Sequence, residues 1–582
     1  MLHENKIWFG KAGDEKIYAL PKMANRHGMI AGATGTGKTV TLKVMAESFS
    51  SIGVPVFLAD VKGDLGGTCN PGVETEDMKA RIERFGLEEA GFKFDSYPTV
   101  FWDVYAEKGL PLRTTISEMG PILLARILGL NEVQSDILSV IFKIADDEGL
   151  LLIDTKDLRS MLTYVGEHAK EYSLTYGNMS SQSLGAIIRA VIALEGQGGE
   201  MFFGEPALDI RDWICCDYTG KGKINILDCQ KLINNPTMYS SFMLWMLSEL
   251  YETLPEAGDL DKPRIVFFFD EAHMLFDSAS KSLLDKIEQI VKLIRSKGVG
   301  VFFITQNPKD IPDGVLSQLG TKIQHALRAY TPTELKAAKA AAMAFRENPD
   351  FDTFQVLTEL GIGEALVSVL DESGVPTIVE RCNILPPQSQ MGAIDDVTRD
   401  QKIKAEQLYI KYVETIDRDS AYEFLSRKAI SDAEEKARAE EVAAAEKRRQ
   451  QEEAAALKEA ERQLREEKKA AERAELQAQR EAERQAIAEQ KAAEKAAIAA
   501  QKQAEKEALA AQKAAEKEEL AKKRAVKSAT KSVASSAAGT VGRELGNAVG
   551  KSVGGSFGKK LGGNVGASLS RGIVGTLFNL KK

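Results

Sequence analysis

Gly28-Met-Ile-Ala-Gly32-Ala-Thr-Gly35-Thr-Gly37-Lys38-Thr39 runs from a short apolar segment through a glycine-rich stretch into a helical pattern over residues 40–48. The spacing from Gly32 to Thr39 is GxxxxGK[ST], and each residue type in it answers a need of phosphate binding. Gly32, Gly35 and Gly37 allow backbone angles and close approaches that a Cβ forbids, so main-chain N–H groups converge on phosphate oxygens. The helix opening at Lys38 adds the positive end of its dipole. Lys38 is expected to reach the β- and γ-phosphates, and the Thr39 hydroxyl to ligate Mg²⁺. With Ala33, Thr34, Thr36 and Val40 these residues make up the expected nucleotide cradle.

Outward from this loop, short β-branched or aromatic runs recur at residues 54–59, 223–227, 264–269, 299–305, 322–328 and 365–370. Helical patterns separate several of them, which predicts an α/β fold with a doubly wound, mostly parallel sheet. Residues 75–200, between the second and third strands, read as an inserted helical lobe, and residues 1–392 as one domain.

A second chemical signal is Arg264-Ile-Val-Phe-Phe-Phe-Asp270-Glu271. Five apolar residues predict a buried parallel strand, and ligands sit at the carboxyl ends of such strands. There Asp270 is placed to hold the metal, and Glu271 to polarise an attacking water. The same pair would also serve as a plain strand-to-helix cap. The next strand ends in Gln306, either a γ-phosphate sensor or a loop residue. Arg295 sits in the turn before that strand, either catalytic or a solvated charge. No Asn-Lys-x-Asp guanine motif occurs, since Asn307-Pro-Lys-Asp310 has the wrong order, and ATP is the expected nucleotide.

The 582 residues carry a net charge of −9, unevenly spread. Residues 521–582 hold 12 basic side chains against one acidic, whereas the first 430 residues carry a net −16. An acidic body argues against a protein that coats nucleic acid over its whole surface, and leaves room for a local basic channel. Cys69, Cys215, Cys216, Cys229 and Cys382 form no CxxC pair, so a zinc module and a disulfide scaffold are not expected. Without a signal-like start or a run of 18 apolar residues, the chain reads as cytoplasmic.

Residues 393–538 contain no Gly and no Pro, and 80 of the 90 residues from 431 to 520 are Ala, Glu, Lys, Arg or Gln. This composition predicts a long helix, either solvated or paired in a coiled coil, although a sustained apolar seam is missing. In the basic tail, 539–582, Gly542, Gly546, Gly550, Gly554, Gly558, Gly562 and Gly566 recur every fourth residue. That stripe suits self-association or contact with an anionic membrane surface, and a flexible tail is the alternative.

Taken together, these segments resemble the HerA/FtsK superfamily of ring-forming P-loop ATPases, above all its bacterial YjgR-type HerA-like branch. The resemblance is carried by Arg26-His-Gly-Met-Ile-Ala-Gly with the phosphate loop, Leu58-Ala-Asp60-Val-Lys62-Gly-Asp-Leu65, Thr114-Thr-Ile-Ser-Glu-Met-Gly-Pro-Ile-Leu-Leu124, Phe202-Phe-Gly-Glu-Pro206, Phe269-Asp-Glu-Ala-His273, Thr305-Gln-Asn-Pro308 and Ser570-Arg-Gly-Ile-Val-Gly575. It implies a RecA/HerA-like P-loop NTPase sheet, ATP hydrolysis with Mg²⁺, and a homo-oligomeric ring, hexameric by resemblance, that moves DNA. It also places Asp60 and Lys62 near the active site, makes Gln306 the sensor, and makes Arg295 a finger reaching a neighbouring subunit. Arg328 matches a basic position of less defined role. The chain departs from HerA itself in having only 31 residues before Gly32, where HerA has a β-barrel, and in lacking an Arg after Gln306. No helix-turn-helix stands out, which keeps an ATP-switched scaffold or protein-moving ATPase as the alternative to a DNA motor.

Overall fold

Gly28–Ala31 is buried on both faces, and strands of this kind stack side by side only when helices cover both sides of the sheet. The computed structural model describes residues 1–258, 260–277 and 281–498. In chain order the strands are β1 (Leu2–His3), β2 (Lys6–Ala12), β3 (Glu15–Ala19), β4 (Gly28–Ala31), β5 (Val56–Asp60), β6 (Thr99–Asp103) and β7 (Leu110–Pro111). They continue with β8 (Ile224–Asp228), β9 (Ile265–Phe269), β10 (Val299–Thr305), β11 (Thr321–His325), β12 (Glu364–Ser368) and β13 (Glu380–Ile384). They join in one sheet of order β1-β2-β13-β12-β11-β4-β10-β9-β5-β8-β6-β7, with β3 paired to β2. From β11 to β7 all pairings are parallel, while β12, β13 and the β1–β3 meander are antiparallel.

Alternate residues feed two cores. Phe267, Phe269 and Phe303 face the helices Ile116–Ile127 and Pro236–Thr253, whereas Phe268, Phe302 and Ile304 face the helix Lys38–Ser51. This period-two sorting explains why continuous Phe runs work as strands here: both faces are dry.

Two expectations change. The stretch 75–200 is not purely helical, because β6 and β7 lie within it and extend the sheet beyond β8. Thr-Val-Phe-Trp-Asp is five residues long, and at that length an apolar run cannot be told from a piece of buried helix by periodicity. Around these strands the helices do form a lobe, with starts fixed by reciprocal capping boxes at Thr115/Glu118, Asn131/Gln134 and Asp154/Asp157. Second, the folded body does not stop at residue 392 but runs over Met1–Ala445. The helices Asp396–Ala405 and Tyr409–Tyr412 pack on it, with Arg399, Tyr412, Ala421 and Leu425 buried. The Tyr412 ring meets Trp102 edge-on at 5.2 Å.

The long helix is Ala421–Ile498, and from residue 431 its described side chains are exposed. Pairs such as Arg449–Glu453 and Arg462–Glu466 line its surface at i,i+4 spacing. The continuation to 538 and the glycine-striped 539–582 lie outside the described residues. Among the described residues, no helix is long and apolar enough to cross a membrane.

Candidate active site

β4 lies between β10 and β11, and its loop is tied to the ends of both neighbours. The Gly32 N–H donates to Thr305 O at 3.3 Å, and the Ala33 N–H to Ala326 O at 2.9 Å. Gly32 and Gly37 have φ of +150° and +114°; a Cβ on Gly32 would stand 2.5 Å from the Cβ of His325. The glycines are therefore demanded by both conformation and space. Lys38 is buried under the loop, where its ammonium donates to Gly32 O at 2.6 Å and Ala33 O at 3.2 Å. Burial lowers its pKa, and the nearby Asp270 carboxylate opposes that shift.

Thr34 and Gly35 are exposed at the loop tip, while Ala33, Gly37, Thr39 and Val40 are half-buried and Thr36 is buried. Lys38, Thr39, Asp60, Lys62, Asp64 and Asp270 line one small cleft. A roomier groove between the helices Ile116–Ile127, Pro236–Thr253 and Lys281–Leu293 contains none of these groups. The chemistry, not the volume, locates the site.

Four strand ends bring an aspartate to this edge: Asp60, Asp103, Asp228 and Asp270. The first three are side by side in register, and each is spent on structure. Asp60 accepts from the N–H groups of Gly63, Asp64 and Leu65, at 2.7, 3.2 and 3.1 Å. Asp103 accepts from those of Tyr105, Glu107 and Lys108 at 2.8–2.9 Å. Asp228 accepts from Gln230 N at 3.1 Å and faces Arg399 at 3.8 Å. Among the described residues the Asp270 carboxylate accepts a single bond, from Glu271 N at 2.9 Å, which leaves lone pairs for another group. Burial pushes its pKa up to about 6, with Glu271 adding to the shift. Asp60, expected from the sequence near the active site beside the nucleotide, lines the same cleft as Lys38 and Asp270 and also shapes the loop that carries Lys62; its pKa rises to about 6 through burial.

Glu271 has φ +47°, a left-handed backbone that a non-glycine residue adopts at a cost of about 1 kcal/mol or more. The turn is held by Ala272 N–H donating to Ile304 O at 2.9 Å. It brings the Glu271 carboxylate 3.4 Å from Gln306 Nε2 and 3.3 Å from His273 Nδ1. Glu271 and Gln306 thus come together although 35 residues apart. His273 is a contact that sequence reading passed over, because in Asp-Glu-Ala-His the acidic pair drew the attention and the turn geometry decides which side chains meet.

His325 was also missed. Its Nδ1–H donates to Glu364 O at 2.9 Å, and its Nε2 accepts from the Thr41 hydroxyl at 2.9 Å, which fixes one neutral tautomer beneath Gly32. Burial lowers its pKa to about 4. Two arginines lie elsewhere. Arg328 donates to Thr358 O and Leu360 O, at 2.8 and 3.1 Å, and so ties down the end of the helix Thr353–Glu359. Arg295 is exposed in the turn Ile294–Lys297 that precedes β10, with the seven strand residues between it and Gln306, and therefore roughly 20 Å from its own phosphate loop.

In this arrangement the phosphate-loop strand is separated from the Asp-Glu strand by a strand ending in Gln. The model of the helicase HerA-like C-terminal family matches residues 6–495. The chain belongs to this family. Among HerA-like relatives, the DNA double-strand break repair helicase HerA of Sulfurisphaera tokodaii is 22% identical over 383 residues, covering 62% of this chain and 67% of that protein. Its counterpart in Sulfolobus acidocaldarius is 26% identical over 184 residues, covering 31% and 36%. Two helicase-named relatives from Methanocaldococcus jannaschii are matched over only 28% and 60% of their lengths, so the chain spans less than two thirds of them. Of solved structures, VirB4 of Thermoanaerobacter pseudethanolicus is similar with a TM-score of 0.43 and 17% identity, covering 66% of this chain and 97% of that one.

Proposed function

We propose that this HerA-like protein is a Mg²⁺-dependent ATPase that works as a homo-oligomeric ring and moves DNA. The observation that carries the reading is the convergence of Lys38, Thr39, Asp270, Glu271 and Gln306 at the carboxyl ends of β4, β9 and β10. The hard oxygen donors there, Thr39 and the sparsely bonded Asp270, fit Mg²⁺. When bound, that ion neutralises charge on the β- and γ-phosphates.

The loop amides and Lys38 position the triphosphate. Glu271 accepts the proton of the attacking water, and its left-handed turn aims the carboxylate across the cleft. Gln306 and His273 orient that carboxylate, and Gln306 is placed to report the γ-phosphate. Arg295 cannot serve its own site at its distance, so it acts on a neighbour's, where a guanidinium stabilises transition-state charge. Hydrolysis then requires assembly.

Steady-state ATP hydrolysis with Mg²⁺, with and without single- and double-stranded DNA, tests the reading, with Glu271→Gln as control. DNA should raise the rate several-fold, with a steep dependence on salt. Hydrolysis that depends on Glu271 yet ignores DNA would retire the DNA motor. The exposed part of the long helix, from residue 431, favours the second reading in that event, an ATP-switched assembly whose arm and basic tail engage other proteins or an anionic membrane surface.

A further inference from the structure

On the side of the phosphate loop facing away from Glu271, a short loop of unusual make-up abuts the site. Gly361-Ile362-Gly363 joins the helix Thr353–Glu359 to β12 and presents Ile362 at 75% exposure. An exposed isoleucine between two glycines would ordinarily mark a mobile loop, but this one is bolted down. The Gly363 N–H donates to Thr36 O at 3.0 Å, the Ile384 N–H to Gly363 O at 2.9 Å, and the Gly361 N–H to the Glu364 carboxylate at 2.8 Å. Arg381 holds the same carboxylate at 2.8 Å.

Against this loop lies Arg81, from the helix Glu76–Phe85. A Cβ on Gly363 would stand 3.2 Å from Arg81 Nη1, and a Cβ on Gly37 would stand 3.2 Å from Gly363 N. The guanidinium, Gly363 and the phosphate loop are therefore in a continuous line. Arg81 is half-buried, and among the described residues it makes no hydrogen bond and no ion pair. Its neighbour Arg84, by contrast, donates to Asn383 at 3.1 Å.

Strand order gives this corner a role, which rests on the nucleotide reading above. The γ-phosphate has to point toward β10 and β9 to meet Gln306 and Glu271. The nucleoside then leaves the loop on the opposite side, over β11 and β12, where Ile362 and Arg81 stand. We infer that Ile362 and Arg81 form the seat of the purine base, the isoleucine as an apolar floor and the flat guanidinium as a partner for the π face of the ring. A free, flat cation beside a rigid apolar platform suits stacking on a heteroaromatic ring.

The test is calorimetric titration of the full chain with Mg²⁺-ATP and, separately, with Mg²⁺-tripolyphosphate, which has no base. Ile362→Ser and Arg81→Gln should each weaken ATP about tenfold and leave tripolyphosphate unchanged, whereas Lys38→Ala should weaken both. Arg81→Lys keeps the charge without the flat face and should still weaken ATP. Equal losses for ATP and tripolyphosphate would make Arg81 a phosphate contact, and undiminished ATP affinity would put the base elsewhere; either result overturns the seat while the phosphate site stands. A wild-type chain that binds neither probe would overturn the phosphate site, and the seat with it.

Discussion

Asp270 and Glu271 are adjacent in sequence yet differ in what the fold asks of them. Glu271→Gln should retain ATP binding and lose at least about a hundredfold in turnover, as expected when a general base is removed; single-turnover assays read this directly. Asp270 titrates near 6 because it is buried beside another carboxylate. Its folded-state pKa lies above the ordinary value, so the folded chain holds this proton more tightly than the unfolded one. Ionising the group as pH rises through about 6 therefore costs stability, and the cost is relieved as pH falls through the same window. Two results follow. In ligand-free protein at pH 8, Asp270→Asn should raise Tm while abolishing hydrolysis, as read by calorimetry. The kcat/KM of the wild type should fall as pH drops through about 6, well above the range of ordinary carboxylates. Lys38 with Thr39, and Asp270 with Glu271, could be picked out as candidates because each pair lies in a short local motif; that Lys38, Thr39 and Asp270 share one cleft only the fold reveals. For Asp60 the sequence shows the carboxylate near the site but not the three amides of the following loop that bond to it. His325 was illegible for another reason, since its partner Thr41 is 284 residues away.

At the scale of elements, the helix Lys38–Ser51 carries the oddest burden. It is buried almost all round, yet it includes Lys43 and Glu47, 1% exposed each. Both charges are spent on the segment after β13. Lys43 donates to Gln390 O, and Glu47 accepts from the N–H groups of Gln388 and Ser389, at 2.7 and 3.1 Å. They clamp that segment across the helix that follows the phosphate loop. Glu47→Ala strands these donors and should cost about 3 kcal/mol or more in chemical denaturation. The loss should exceed that of Glu446→Ala on the solvated helix, which should be within about 0.5 kcal/mol of wild type. The central strands β4, β5, β8, β9, β10, β11 and β12 were readable from their apolar runs. The meander β1–β3 and the strands β6, β7 and β13 were not: β1 and β7 are two residues long, β2, β3 and β13 mix charged with apolar residues, and β6 is a five-residue run that periodicity does not separate from buried helix.

For the molecule as a whole, the proposed trans role of Arg295 makes a mixing experiment decisive. Arg295→Ala should bind ATP normally and hydrolyse it about a thousandfold more slowly. Mixing it with Glu271→Gln should recover part of the activity, since some interfaces would pair an intact Glu271 with an intact Arg295. Recovery in no ratio would refute the finger. The long helix was visible in composition, but its start at Ala421 was not, since the few residues that dock 396–425 on the body are scattered among charged ones. β10 is the feature with the widest consequence. All seven of its residues are buried; on the proposed reading, Gln306 at one end watches the strand's own nucleotide, while the turn at the other end carries Arg295 to the next subunit. A strand packed on both faces behaves as a push-rod. With Gln306 as sensor and Arg295 as finger, a shift when the γ-phosphate leaves one site would be passed along the strand to the next, and subunits would fire in sequence rather than at random.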